Sequence, residues 1–170
     1  MIKKNLQKIF KKVSYSVFSK IYGNINTSIA YDSDNRIKVK IVNYENKINY
    51  KVYSISDGRL YTDRIHDTAI ILDNKIIDGP SFQLRADSEI ELTKGDSNIV
   101  FGKAEDNIVF KIGTPRILKK LNGSVLSLLV GGAGNNNYWH WLYDVLPKFA
   151  LCNKFFDIKK IDFFLLPNLK

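Results

Sequence analysis

The chain has 170 residues and a mass of 19.5 kDa, enough for one domain with a sizeable core or a small module plus part of a second. With 45 % hydrophobic and 25 % charged residues it belongs among globular proteins, and its net charge of +9 suits nucleic acid, an anionic membrane face or a phosphorylated substrate. A single cysteine, Cys152, excludes an intramolecular disulfide framework, and no apolar run approaches the roughly 18–20 residues that span a bilayer.

Residues 2–22 read as a helix, because Leu6, Ile9, Phe10, Val13, Val17 and Ile21 recur at spacings of three and four. Lys3, Lys4, Lys8, Lys11, Lys12 and Lys20 fill much of the remaining circumference, and no acid precedes Asp32. Two readings fit. One is an ordinary amphipathic helix packed on its own domain with a solvated lysine face. The other is a basic helix lying on an anionic membrane surface. Lysine and serine interrupt the apolar positions too often for a secretory signal peptide, so a cytoplasmic location is expected, with peripheral attachment to the inner membrane face as an option.

From Arg36 to Lys119 the pattern is one of short strands: Ile37–Val42, Ile48–Ile55, Thr68–Leu72, Glu89–Leu92, Asn98–Phe101 and Asn107–Ile112. Turn residues separate them at Asp57-Gly58, Asp73-Asn74, Asp78-Gly79-Pro80, Lys94-Gly95-Asp96 and Glu105-Asp106-Asn107. Asp57-Gly58 is the candidate for a tight hairpin turn, since both residue types tolerate positive φ. Residues 24–119 therefore read as a β-rich region of antiparallel hairpins, following a helical segment 1–23.

After Asn122-Gly123 the run Ser124–Val130 reads as a strand buried on both faces, as in parallel sheets. A helix pattern over about Tyr138–Asn153 and a second buried strand at Ile161–Leu166 complete a βαβ unit. Two parallel strands cannot cover both faces of a sheet, so residues 120–170 read as the start of a larger α/β unit. The fold class expected is α+β leading into α/β.

The Gly/Asn loop 131–137 and the helix after it read as a built site. Ligands of open α/β sheets bind beyond the carboxyl ends of the strands, where such loops open onto helices. With Asn137 as N-cap, His140 falls in the first turn and Asp144 one turn later on the same face. The helix start disfavours a charged imidazole while Asp144 favours one, a balance that suits a general base. Asp144 would orient the ring, as an acid does for other catalytic histidines. The plainer alternative is a surface histidine satisfied by an i,i+4 aspartate. Tyr138, Trp139, Trp141 and Tyr143 cannot all face one core; some suit a platform for a sugar ring, and packing between elements is the competing explanation. Pro147 should kink or restart the helix after Leu146.

Other chemistries lack their residues. Gly132-Ala133-Gly134 is not followed by the third glycine of a dinucleotide fingerprint, and no Gly-Lys-Ser/Thr follows for a P-loop. One cysteine and two distant histidines do not make a zinc site. Cys152 reads as a small buried hydrophobe and His66 as a loop residue. Nucleic-acid binding has no support beyond net charge.

The segment Asn137-Tyr138-Trp139-His140-Trp141-Leu142-Tyr143-Asp144-Val145-Leu146-Pro147-Lys148 resembles the N-Y-x-H-W-L-x-D-x-L-P-R signature of glycosyltransferase family 61. Asp57-Gly58-Arg59-Leu60-Tyr61 and Ala69–Leu72 also resemble the β-rich lead-in of its bacterial members, so the resemblance covers about residues 35–170. It implies an inverting, metal-independent transfer of a sugar from a nucleotide-sugar, usually UDP-linked, to a glycan acceptor in capsule or surface-polysaccharide biosynthesis. It also implies two facing Rossmann-like halves of the GT-B type, of which residues 120–170 would begin the first, the remainder being a missing C-terminal part. His140 and Asp144 are the matched catalytic candidates, and Gly132, Gly134, Asn137, Tyr138 and Trp141 the substrate-binding ones. Lys148 stands where the family has arginine, keeping the charge and losing the bidentate fork. No cofactor is implied; the nucleotide-sugar is substrate. The competing class is a non-catalytic carbohydrate-binding or assembly module, or an inactive transferase remnant.

Overall fold

Residues Ile2–Tyr22 form α1 in the structure, a computed structural model that describes residues 2–44, 48–63, 66–86, 99–101, 104–130 and 138–166. Gly23 ends the helix with φ of 81° and donates its N–H to the Ser19 carbonyl at 2.9 Å. A Cβ at Gly23 would also strike the Asn74 side chain, so glycine meets two demands at that corner. Only one edge of α1 meets the body. Tyr15, Phe18, Ser19 and Tyr22 are half-buried, Phe18 stacks on Tyr22 at 6.0 Å, and the Tyr22 hydroxyl accepts from the Leu118 N–H. The aliphatic stripe of Leu6, Ile9, Phe10, Val13, Val17 and Ile21 is exposed, with Leu6 and Phe10 bordering an open concavity beside the helix. That corrects the reading of α1 as a helix with its apolar face packed on its own domain.

Ten described strands follow α1, and β5 (Asp67–Leu72) is the hub of the first sheet. Along one edge β5 pairs antiparallel with β4 (Arg59–Thr62), from Arg59↔Ile71 to Thr62↔Thr68. Along the other edge its end pairs with β6 (Lys75–Ile77) and its start with β7 (Phe82–Ala86). Where that edge changes partner, Ser81 Oγ accepts from the Ile70 N–H at 2.9 Å and fills the gap in the ladder. Further out, β1 (Thr27–Ile29) runs parallel to β6, and β8 (Ile99–Phe101) runs antiparallel to β7.

The β5–β6 connection is the tight hairpin. Asp73 and Asn74 both have positive φ, 46° and 61°, as a two-residue type I′ turn requires. Asp57 also has positive φ, 57°, but its turn joins β3 (Ile48–Ile55) to β4, which belong to different sheets. The expected hairpin at Asp57-Gly58 is thus corrected. β3 pairs instead with β2 (Ile37–Tyr44) in a separate antiparallel ribbon, with Ile37 opposite Ile55.

Period-two burial on β5 explains the layering. Ala69 and Ile71 point to one face with Ile76, Ile25, Ala104 and Val109; Leu72 points to the other with Ile77 and Ile37. The β2–β3 ribbon covers the second face through Val39 and Ile55. The first face is covered by a 3-10 turn (Ala104–Asp106) and the short helix α2 (Val109–Ile112). A strand expected at Asn107–Ile112 is therefore a helical turn. Side chains impose it: Asp67 Oδ1 accepts from the Ile108 N–H at 2.9 Å, and Asn107 Oδ1 from the Val109 N–H at 3.2 Å. These bonds satisfy donors that open a helix.

After the irregular residues 113–124, β9 (Val125–Ser127) pairs parallel with β10 (Phe163–Leu165), and a helical stretch connects them. The ladder is shorter than the apolar run Ser124–Val130, although Leu128 and Leu129 are buried beyond it. Asp162 fastens the two strand starts. Its Oδ2 accepts from the Ser124 N–H at 2.7 Å and from the Ser124 hydroxyl at 2.9 Å. Expected strands and turns at Glu89–Leu92 and Lys94-Gly95-Asp96 lie outside the described residues. The whole is a mixed α/β arrangement of one long helix and small sheets. Among the described residues, no helix is long and apolar enough to cross a membrane.

Candidate functional site

Among the described residues between β9 and β10, one continuous helical stretch has three parts, α3 (Tyr138–His140), a π-helical turn (Trp141–Val145) and α4 (Leu146–Asn153), and a 3-10 turn (Ile158–Lys160) precedes β10. Pro147 accounts for the middle part. It has no N–H to donate, and its ring crowds the carbonyl four residues back, which a tight α-turn cannot accommodate. The Leu146 N–H reaches the Trp141 carbonyl instead, the i→i−5 bond of a wider turn. The expected break at Pro147 thus takes the form of a local widening, and the helix runs on.

His140 ends α3 and Asp144 lies in the π turn, with Nδ1 and Oδ2 2.5 Å apart. A carboxylate only accepts, so Nδ1 is the protonated nitrogen in this bond and Nε2 is left for another partner. The side chains are 36 % and 43 % exposed, so the ring is accessible. Val145, in the same turn, is 1 % exposed and anchors that turn to the interior.

One turn further on, Lys148 donates from Nζ to the Leu129 carbonyl at 2.5 Å. Burial holds its ammonium below the usual lysine range, while Asp144 and Cys152 pull in the opposite direction. Lys148 thus ties the helix to the end of the β9 segment, a structural role that sequence spacing did not reveal. A lysine nitrogen meeting a main-chain carbonyl has no use for a bidentate fork. Cys152 is a buried free thiol as expected, and burial pushes its pKa up.

The aromatic residues divide. Trp139 and Tyr143 stack at 5.4 Å with planes 15° apart, and they are 64 % and 65 % exposed. Tyr138 is exposed as well. Trp141 turns inward, and its indole N–H is buried without a hydrogen-bond partner among the described residues. Gly132, Gly134 and Asn137, the other expected substrate contacts, lie outside the described residues. His66 stands exposed in its loop, 3.8 Å from Asp63 and remote in sequence from the 138–148 cluster. Among the described residues, no group of three or more His, Cys, Asp or Glu is placed to hold a metal ion.

A wide concavity lies between α1, the β3–β4 corner, residues 112–124 and the β9–α4–β10 unit. Lys11, Arg59, Arg116, Lys119, Lys120 and Lys148 border it, giving it a basic lining. Arg59 donates to Thr114 Oγ1 at 3.3 Å and to Asn74 Oδ1, and burial lowers its pKa. His140 and Asp144 do not line this space; they lie beyond Lys148 on the same helical stretch.

No protein-family model matches the chain, and neither a curated protein nor a solved structure matches it.

Proposed function

We propose that the chain carries the acceptor-activating part of an inverting glycosyltransferase, one that moves a sugar from a nucleotide-sugar, UDP-linked in the first instance, to a glycan acceptor in capsule or surface-polysaccharide assembly. The observation that carries the reading is the His140–Asp144 pair, with Nδ1 held by the carboxylate and the ring still accessible. It occurs within the twelve-residue segment that resembles the family signature. A parallel β9/β10 pair around the helical connection supports placing that segment in a Rossmann-like half of GT-B type. The π turn at the same point adds support, since such turns recur at functional sites.

In this mechanism, His140 Nε2 removes the proton of an acceptor hydroxyl. The oxygen forms a bond to the anomeric carbon from the face opposite the leaving group, the bond from that carbon to the diphosphate oxygen breaks, and UDP departs with the electron pair. Asp144 orients the imidazole and stabilises the imidazolium that forms. Such proton transfer contributes roughly 10²–10⁴ in rate. Lys148, near Asp144 and bonded to the Leu129 carbonyl, holds the helix in position.

A second reading is favoured by the exposed Trp139–Tyr143 stack: a module that binds glycan on this aromatic pair without chemistry. One assay separates the two. UDP release by the complete enzyme that contains this chain is measured from a panel of UDP-sugars with glycan oligosaccharides present, alongside its retention on the immobilised glycans. Acceptor-dependent UDP release supports the transferase. Retention abolished by Trp139→Ala, with no UDP released from any donor, supports the binding module and contradicts the transferase.

A further inference from the structure

An α-helix advances about 100° per residue, so two residues on the chain face opposite sides. Val13 and Tyr15 show this on α1. Tyr15 shares the edge with Phe18 and Tyr22 that meets the body, whereas Val13 shares the opposite side with Leu6, Phe10 and Val17. The stripe formed by Leu6, Ile9, Phe10, Val13, Val17 and Ile21 is 46–73 % exposed along its whole length. Contiguous exposed apolar surface of this kind marks an interaction site.

The charge around the stripe says what fits it. Residues 3–12 are all exposed and include five lysines, Lys3, Lys4, Lys8, Lys11 and Lys12. Lys20 follows, and no acid precedes Asp32. By the same 100° step Lys3 and Lys20 flank the stripe while Lys4, Lys8, Lys11 and Lys12 lie on the opposite side, so a second copy of α1 would add only like charge, with no carboxylate on either helix to pair with it. An anionic bilayer surface answers both features at once: the stripe enters the boundary between headgroups and acyl chains, Lys3 and Lys20 reach the headgroups beside it, and the lysine face above stays in water within range of the negative surface potential. We propose that α1 is a peripheral membrane anchor that lies in the plane of an anionic phospholipid surface. The proposal is independent of the reading of His140.

The test is sedimentation of the full chain with vesicles of about one-third phosphatidylglycerol in phosphatidylcholine, against vesicles of phosphatidylcholine alone. Binding is expected to the anionic vesicles only, and to weaken steeply as salt shortens the screening length. Each lysine changed to glutamine among Lys4, Lys8 and Lys12 should weaken it by about fivefold. Val13→Asp with Val17→Asp should abolish it, and circular dichroism should report an unchanged fold because both side chains are exposed. The proposal is overturned by absent binding to anionic vesicles, or by binding that survives the double aspartate variant. It is equally overturned if the stripe proves covered by a second copy, seen as a dimer that the double variant dissociates and that does not sediment with vesicles.

Discussion

Arg36 is a residue whose surroundings make a measurable demand. Its Nε and Nη2 donate to the two Asp34 oxygens at 3.0 and 2.7 Å, its N–H also donates to Asp34, and Nη2 reaches Asp73 in the β5–β6 turn. The Arg36 side chain first, and its N–H second, hold the Asp34 carboxyl at about 2; the same guanidinium lowers Asp73. A carboxyl held low in the folded state stabilises the fold above its ordinary range and stops doing so once it is protonated. The contribution is therefore present above about pH 4 and lost as the pH falls toward 2. Arg36→Ala should flatten the fall of the melting temperature between pH 5 and 2. An equally steep fall in the variant would show that the cluster contributes nothing. Asp73 was legible as a turn residue, but its tie to Arg36 was not, since the two lie far apart along the chain. His140 and Asp144 are a contrasting case. Helical spacing alone brings them together, so sequence could read the contact, though not the tie between Lys148 and Leu129.

At the scale of elements, Asn107 decides whether its segment is a strand or a helix. It is 1 % exposed, its Nδ2 donates to the Thr68 and Phe82 carbonyls, and its Oδ1 caps α2. Asn107→Ala would leave buried groups of β5, β7 and α2 unpaired, and should destabilise the fold by about 2–4 kcal/mol in denaturant titration. A loss within experimental error would mean that α2 holds without that cap. The run Asn107–Ile112 was misread because its local pattern suits a strand, while Asp67 and Asn107 supply partners that only the folded chain brings together. Similarly, positive φ at Asp57 follows from residue type, but the pairing of β4 with β5 rather than β3 does not. Strands with clear alternation or β-branched runs were readable: β2, β3 and β5 occur where the pattern put them. The βαβ order of β9, the helix and β10 was also readable, because continuous apolar runs and an aromatic helix carry different periods. The expected burial of both strands on both faces is not met: Val125, Phe163 and Phe164 are 45 %, 39 % and 41 % exposed.

At the scale of the molecule, the described residues form two packed regions joined by residues 113–124. The first is the β5-centred sheet between the β2–β3 ribbon and α2; the second is β9 and β10 with their helical connection. Phe149 of α4 meets Phe164 of β10 at 6.0 Å, yet both remain partly exposed. In a glycosyltransferase, that second region would present His140 to the acceptor while α1 held the molecule on a lipid surface. The measurement that tests this most directly is the initial rate of acceptor-dependent UDP release by the complete enzyme that contains this chain, in its wild-type form and with His140→Ala. Circular dichroism should confirm that the two share one fold. If His140 takes the acceptor proton, the variant should lose roughly 10²–10⁴ in rate. Equal rates for the two proteins would contradict a catalytic role for His140.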